Sequence, residues 1–237
     1  MIILGFESTA KTASVAIMED ERILAAYTID NGLTQSELLL PMAESMLAHL
    51  RLTFSDVGLL AAAVGPGSFT GVRIGVSIIK GLAFGKNIPC ASVSAIEELC
   101  ENMRGIEGII VPVMDARRSQ VYNAIFSSDG REIKRLTDDR AISLEELSSN
   151  LSKFDGESIY LVGDGYDTAK AYLEAKGIKI CNTPPDLIPE NAVSVCRVAK
   201  RKYDNGEALS DLEISPTYLR LPQAERERLL KEKGETV

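Results

Sequence analysis

The stretch Ile2-Ile3-Leu4-Gly5-Phe6-Glu7-Ser8-Thr9 opens the chain with an almost wholly apolar run that stops on a carboxylate and a small polar turn. Its length and composition are those of a buried strand. Ala13 to Met18 and Arg22 to Tyr27 carry two more strand-like runs, joined by the polar Glu19-Asp20-Glu21, so the chain begins as an antiparallel meander. The plan then returns. Ile109-Ile110-Val111-Pro112-Val113-Met114 ends on Asp115, Ala116-Arg117-Arg118-Ser119 turns, Gln120 to Phe126 forms a strand, Ser127-Ser128-Asp129-Gly130 turns again, and Glu132 to Leu136 runs back.

After each meander the pattern changes to alternating helices and short strands, which is the mark of parallel pairing through helical crossovers. The first half predicts helices over 35–51, 72–85 and 94–104 and strands over 57–64 and 89–93. The second predicts a helix started by a capping box at Ser143 and Glu146, a strand from Ile159 to Val162, a helix from Tyr166 to Ala175 stopped by Gly177, and a helix from Asn191 to Tyr203. Two copies of strand-strand-strand-helix-strand-helix predict an α/β fold of two ribonuclease-H-like lobes, as in the actin and sugar-kinase superfamily, each a mixed five-stranded sheet with helices. Residues 1–105 form the expected N-terminal lobe, with 218–237 as a candidate to complete it, and 106–217 the C-terminal lobe. A simple Rossmann domain would need helices between its first strands.

A chain of 237 residues with 45% hydrophobic content can bury a sizeable core. Its net charge of −8, from 34 acidic and 26 basic residues, opposes the nucleic-acid backbone and argues against strong RNA binding by this chain alone. Apolar runs are about a strand long, and the start lacks a basic, apolar, small-residue leader pattern, so a cytoplasmic protein without a membrane span is expected. Cys90, Cys100, Cys181 and Cys196 lack metal or redox spacing and read as reduced structural thiols. His49 is the only histidine; it excludes a His-rich metal site and reads as a helix-surface residue.

The segment Gly65-Pro66-Gly67-Ser68-Phe69-Thr70-Gly71-Val72-Arg73 follows an apolar strand and opens a helix. Such a turn presents backbone N–H groups that could hold a phosphate, but no Gly-Lys-Ser/Thr closes it and the dinucleotide spacing is missing. Phosphate cradle and tight structural turn both remain open readings of these residues. With Ile74-Gly75-Val76 behind it, this segment resembles the signature of the TsaB (YeaZ) family. Glu7-Ser8-Thr9, Ser36-Glu37-Leu38-Leu39-Leu40-Pro41, Met114-Asp115-Ala116-Arg117 and Pro216-Thr217-Tyr218-Leu219-Arg220 resemble further stretches of that family. Glu7 stands where the family usually has aspartate, and Gln35 where members often have histidine.

The resemblance implies a non-catalytic subunit in tRNA threonylcarbamoyladenosine biosynthesis. Such a subunit forms a homodimer when alone and binds the catalytic paralogue TsaD, and with it the ATPase TsaE. It meets tRNA only through the complex, which modifies the adenosine next to the anticodon. The helical patterns agree with a partner-binding role. Leu38, Leu39, Leu40, Met42, Ala43, Met46, Leu47 and Leu50 cover an arc of roughly 200°, about twice the stripe one core needs. Ile74, Gly75, Val76, Ile78, Ile79, Leu82 and Ala83 wrap the next helix likewise, and Gly71 and Gly75 would permit close backbone approach. Leu38, Leu39, Met42, Met46, Ile74, Ile78 and Leu82 are the expected interface, so glutamate at Leu39 or Met46 should break assembly and spare the fold. The competing reading sandwiches both helices inside the domain.

The paralogue's His-x-x-x-His metal pair is missing. Glu7 and Asp115, with Ser8, Thr9 and Arg117, are the candidates for a residual nucleotide site, with weak ATP or ADP and magnesium, no required cofactor and no resident metal. Arg117 and Arg118 form a small basic spot that reads first as a solvated turn. Ala224 to Lys233 reads as an amphipathic helix of mixed charge that packs on the N-terminal lobe or docks another subunit. The alternative function is an ATP-dependent small-molecule kinase; one histidine and no zinc-binding motif argue against a zinc glycoprotease.

Overall fold

A computed structural model describes residues 1–220. The first sheet runs in the order β3 (Arg22–Ile29), β2 (Ala13–Glu19), β1 (Ile2–Glu7), β4 (Val57–Ala63), β5 (Cys90–Val93). The first three strands are antiparallel, and β4 and β5 run parallel to β1. Alternation along β1 divides its side chains between two cores. Leu4 and Phe6 join the outer core beneath α1 (Gln35–Leu50) and α2 (Phe69–Ala83), while Ile3 faces the other lobe. Each of these fully buried side chains stabilises the fold by about 1.5–3 kcal/mol relative to exposure.

The second sheet is built of six short strands: β6 (Glu107–Asp115), β7 (Gln120–Asn123), β8 (Phe126–Asp129), β9 (Ile133–Arg135), β10 (Arg140–Ser143) and β11 (Ile159–Val162). Val113 faces Asn123 and Ile110 faces Phe126, so one register continues from β7 into β8, and the two are a single hairpin strand broken at Ala124-Ile125. The break lies opposite Pro112, which has no N–H to give to the ladder. Asn123 Nδ2 repairs it by donating to the carbonyls of Pro112 and Ala124, and the Ile125 N–H donates to Thr137 Oγ1. With β9 and β10 forming the third line and β11 parallel to β6, the order matches that of the first sheet. The fifth line is reduced to one bridge between Tyr160 and Cys181, which corrects the expectation of five full strands in this lobe.

Between the two sheets lie α3 (Ala95–Glu101) and α6 (Ala192–Asp204), sharing one core with the inner faces of both. Gly5 is needed here because a Cβ on it would stand 2.5 Å from Cys196 Sγ of α6. α4 (Leu144–Leu151) and α5 (Tyr166–Ala175) cover the outer face of the second sheet. The result is five layers, two ribonuclease-H-like lobes with shared helices between them, in the actin-like arrangement. The chain returns to the first lobe at Leu209, which bridges Cys90, and again where the Thr217 N–H donates to the Val64 carbonyl. The segment Ala224–Lys233, like all of 221–237, lies outside the described residues.

All four cysteines are free, and Cys90, Cys100 and Cys196 are buried; burial pushes these three thiols up, Cys90 to about 11 and Cys196 to about 12. Among the described residues no helix is long and apolar enough to cross a membrane.

Candidate functional site: an interlobe cleft and an apolar helical groove

The glycine-rich turn is a packing device. Cβ atoms on Gly67 and Gly71 would collide with the Thr9 and Ser8 carbonyls, and one on Gly65 would lie 2.5 Å from the Thr217 carbonyl. Ser68 N–H donates to the Thr9 carbonyl at 2.6 Å, and Ser8 Oγ donates to the Gly71 carbonyl at 2.8 Å. The same Ser68 then caps α2 by accepting the Gly71 N–H on its hydroxyl. The turn thus directs polar groups at the β1–β2 turn, which favours the structural reading over a phosphate cradle.

Beside it, a cleft of about 480 Å³ opens between the lobes, lined by Thr9, Lys11, Ser68, Asp115, Arg117 and Arg220 among others. Of the five residues expected to form a nucleotide site, Thr9, Asp115 and Arg117 line this cleft. Glu7 and Ser8 do not; both are buried behind its wall, at 0% and 1% exposure. Glu7 Oε1 accepts the backbone N–H and hydroxyl of Thr9, and Oε2 has no partner among the described residues. Burial, only partly offset by these bonds, raises Glu7 to about 7. Asp115 accepts the Arg117 N–H at 2.7 Å, so the basic spot is tied to it through backbone, and Arg117, Arg118 and Ser119 follow with φ of 61°, 57° and 55°.

Three carboxylates of this region escaped the sequence reading. Asp164 accepts the Asp115 N–H and lines the cleft; its own N–H donates to Glu190. Burial drives Glu190 to about 8 and Glu98 well above its ordinary value, and the neighbouring acids add to both shifts. Glu98 sits on a helix rich in acids and Glu190 just before an Asn helix cap, so neither pattern distinguishes a buried acid from a solvated one. Among the described residues no group of three acids, cysteines or histidines is placed to hold a metal ion. His49 is exposed in the last turn of α1. Gln35 donates its amide to the Ala10 carbonyl at 3.0 Å and ties α1 to the β1–β2 turn.

The expected interface is corrected in part. Leu39, Met42 and Met46 are 0%, 5% and 0% exposed and belong to the outer core, because α1 must cover β2, β3 and α2 together and so needs a wide apolar arc on one side. Leu38, Ile74, Ile78 and Leu82 are half-buried and rest on that core with one edge in solvent. Between the helices a shallow groove of about 490 Å³ is lined by Ser36, Leu40, Phe69, Arg73, Ile74 and Ile78 among others. Phe84, at the far end of α2, is 77% exposed.

A family model described as "TsaD: tRNA N6-adenosine threonylcarbamoyltransferase" matches residues 34–174. The chain is 31% identical over 169 residues to the tRNA threonylcarbamoyladenosine biosynthesis protein TsaB of Bacillus subtilis (strain 168), covering 71% of this chain and 72% of that one. It is 29% identical over 234 residues to the TsaB of Haemophilus influenzae, covering 93% and 94%. The solved structure described as YeaZ from Pseudomonas aeruginosa superposes with a TM-score of 0.76 at 23% identity, over 92% of this chain and 99% of that one, a likeness of fold.

Proposed function

Because the chain belongs to the TsaB family and so acts in tRNA threonylcarbamoyladenosine biosynthesis, we propose that it is the non-catalytic subunit that binds the TsaD transferase through the α1–α2 groove. The observation that carries this reading is the groove itself: Leu40, Phe69, Ile74 and Ile78 line one apolar groove on a chain with net charge −8. In this reading the chain works in the cytoplasm, forms a homodimer through the same face when alone, brings TsaE in with TsaD, and meets tRNA only through the complex. It requires no cofactor, and magnesium with ATP or ADP is at most a weak ligand of the cleft at Asp115 and Arg117. The sealing of Glu7 supports the non-catalytic assignment, since a carboxylate behind the wall cannot reach a metal or water in the cleft.

The test is co-elution of the purified chain with purified TsaD, using Ile78→Glu. A charge at this half-buried rim position should abolish the complex and leave the thermal transition of the free chain within a few degrees of wild type. A wild-type chain that never co-elutes with TsaD would defeat the proposal. Magnesium-dependent ATP turnover lost in Asp115→Ala would favour the kinase reading instead.

A further inference from the structure

Among the described residues lining the groove, Arg73 is the one charged side chain. Phe69 and Tyr218, 38% and 40% exposed, stack with centroids 5.2 Å apart and planes 30° from parallel. Arg73, one turn along α2, lays its guanidinium over the Phe69 ring at 3.8 Å and donates Nε–H to Tyr218 Oη at 2.9 Å. Only Nε is engaged. Arg104, Arg135 and Arg201 all have acidic partners on this chain, whereas Arg73 has no carboxylate within ion-pair distance among the described residues. Both Nη groups of Arg73 are therefore without a carboxylate partner there, on a side chain already held in one orientation by a ring and a hydroxyl.

That combination is what a binding hot spot requires. Arginine and tyrosine dominate such positions, and a side chain fixed before binding loses less freedom when the partner arrives. The two Nη groups form a fork that matches a carboxylate bidentately. The surroundings select a protein carboxylate over a nucleic-acid phosphate: the neighbours are Leu40, Ile74 and Ile78, and the nearby cation of the same helix, Lys80, is turned to the Leu212 carbonyl at 3.4 Å.

We propose that Arg73 is the polar anchor of the groove, pairing through its two Nη groups with a carboxylate of TsaD, and that Phe69 and Tyr218 are positioning residues that hold it. The proposal rests on the reading of the groove as the TsaD docking face. Titration calorimetry of the full chain with TsaD tests it with Arg73→Met, Arg73→Lys, Tyr218→Phe and Ile78→Glu. Arg73→Met keeps the apolar stem and should weaken binding at least about tenfold while leaving the free chain's thermal transition in place. Arg73→Lys should recover little of that, since an ammonium neither forks nor stacks alike. Tyr218→Phe should cost about threefold through lost orientation. Wild-type affinity should fall with added salt more steeply than that of Arg73→Met. Wild-type affinity and salt slope in Arg73→Met, with binding lost in Ile78→Glu, would overturn the anchor and leave the groove standing. Wild-type binding in both variants would overturn the groove as well. Unchanged TsaD affinity with weaker tRNA retention by the complex would reassign the guanidinium to a phosphate and also refute the proposal.

Discussion

Glu7 and Asp115 end the first strands of the two lobes, but Glu7 is sealed from solvent while Asp115 stands in the cleft. The difference lies in what covers the following turn. Over Glu7 the α2 turn presses so closely that Gly67 and Gly71 have no room for a side chain. The turn after Asp115 is open, and the exposed Arg117, Arg118 and Ser119 continue in the left-handed region. One duplicated plan has thus become a wall in the first lobe and a cleft edge in the second. The same α2 that seals Glu7 presents Phe69, Arg73, Ile74 and Ile78 to the groove, so the sealed acid and the proposed partner face have one structural origin.

The largest effect should come from forcing the wall apart. Gly71→Ala drives a Cβ into the Ser8 carbonyl and is expected to cost about 3 kcal/mol in urea unfolding, whereas Arg118→Ala in the open turn should stay within about 0.5 kcal/mol. Equal costs at the two turns would dissolve the contrast.

The sealed acids should also show in the pH dependence. Glu7 is raised to about 7 and Glu190 to about 8, so the folded chain holds protons that the unfolded chain releases near pH 4 to 5. Their contribution is fully present below the unfolded values and is lost as pH rises through the folded ones. Unfolding free energy should therefore decline between about pH 5 and pH 8, by about 2 kcal/mol or more, and Glu7→Gln should flatten part of that slope. A stability that rises over this interval would contradict the burial of these acids. A small effect is also expected for Asp115→Ala, a shift in stability of less than about 1 kcal/mol, because its carboxylate accepts the Arg117 N–H of its own turn.

Much of this was legible in the sequence. The meander, its recurrence and the strand that ends on an acid predict both lobes; Ser143 does cap α4 by accepting the Glu146 N–H, and α5 runs from Tyr166 to Ala175 as expected. α2 begins three residues earlier than its apolar period indicates, because Ser68 is the cap and Phe69 the first helical residue. The strand expected from Gln120 to Phe126 breaks where the hairpin register sets Ala124 opposite Pro112 of the preceding strand, a pairing that the composition of residues 120–126 does not reveal. Leu39 and Met46 were misplaced for a related reason: a helical wheel gives the width of an apolar arc but not which part faces three neighbouring elements. The buried state of Glu98 and Glu190 is a product of the interlobe packing alone.

The most direct test of the partner face compares Leu39→Glu with Ile78→Glu in the presence of TsaD. The account predicts that Leu39→Glu fails to fold, since it places a charge in the outer core, and that Ile78→Glu folds as wild type but does not form the complex. A folded Ile78→Glu chain that binds TsaD with wild-type affinity would contradict it.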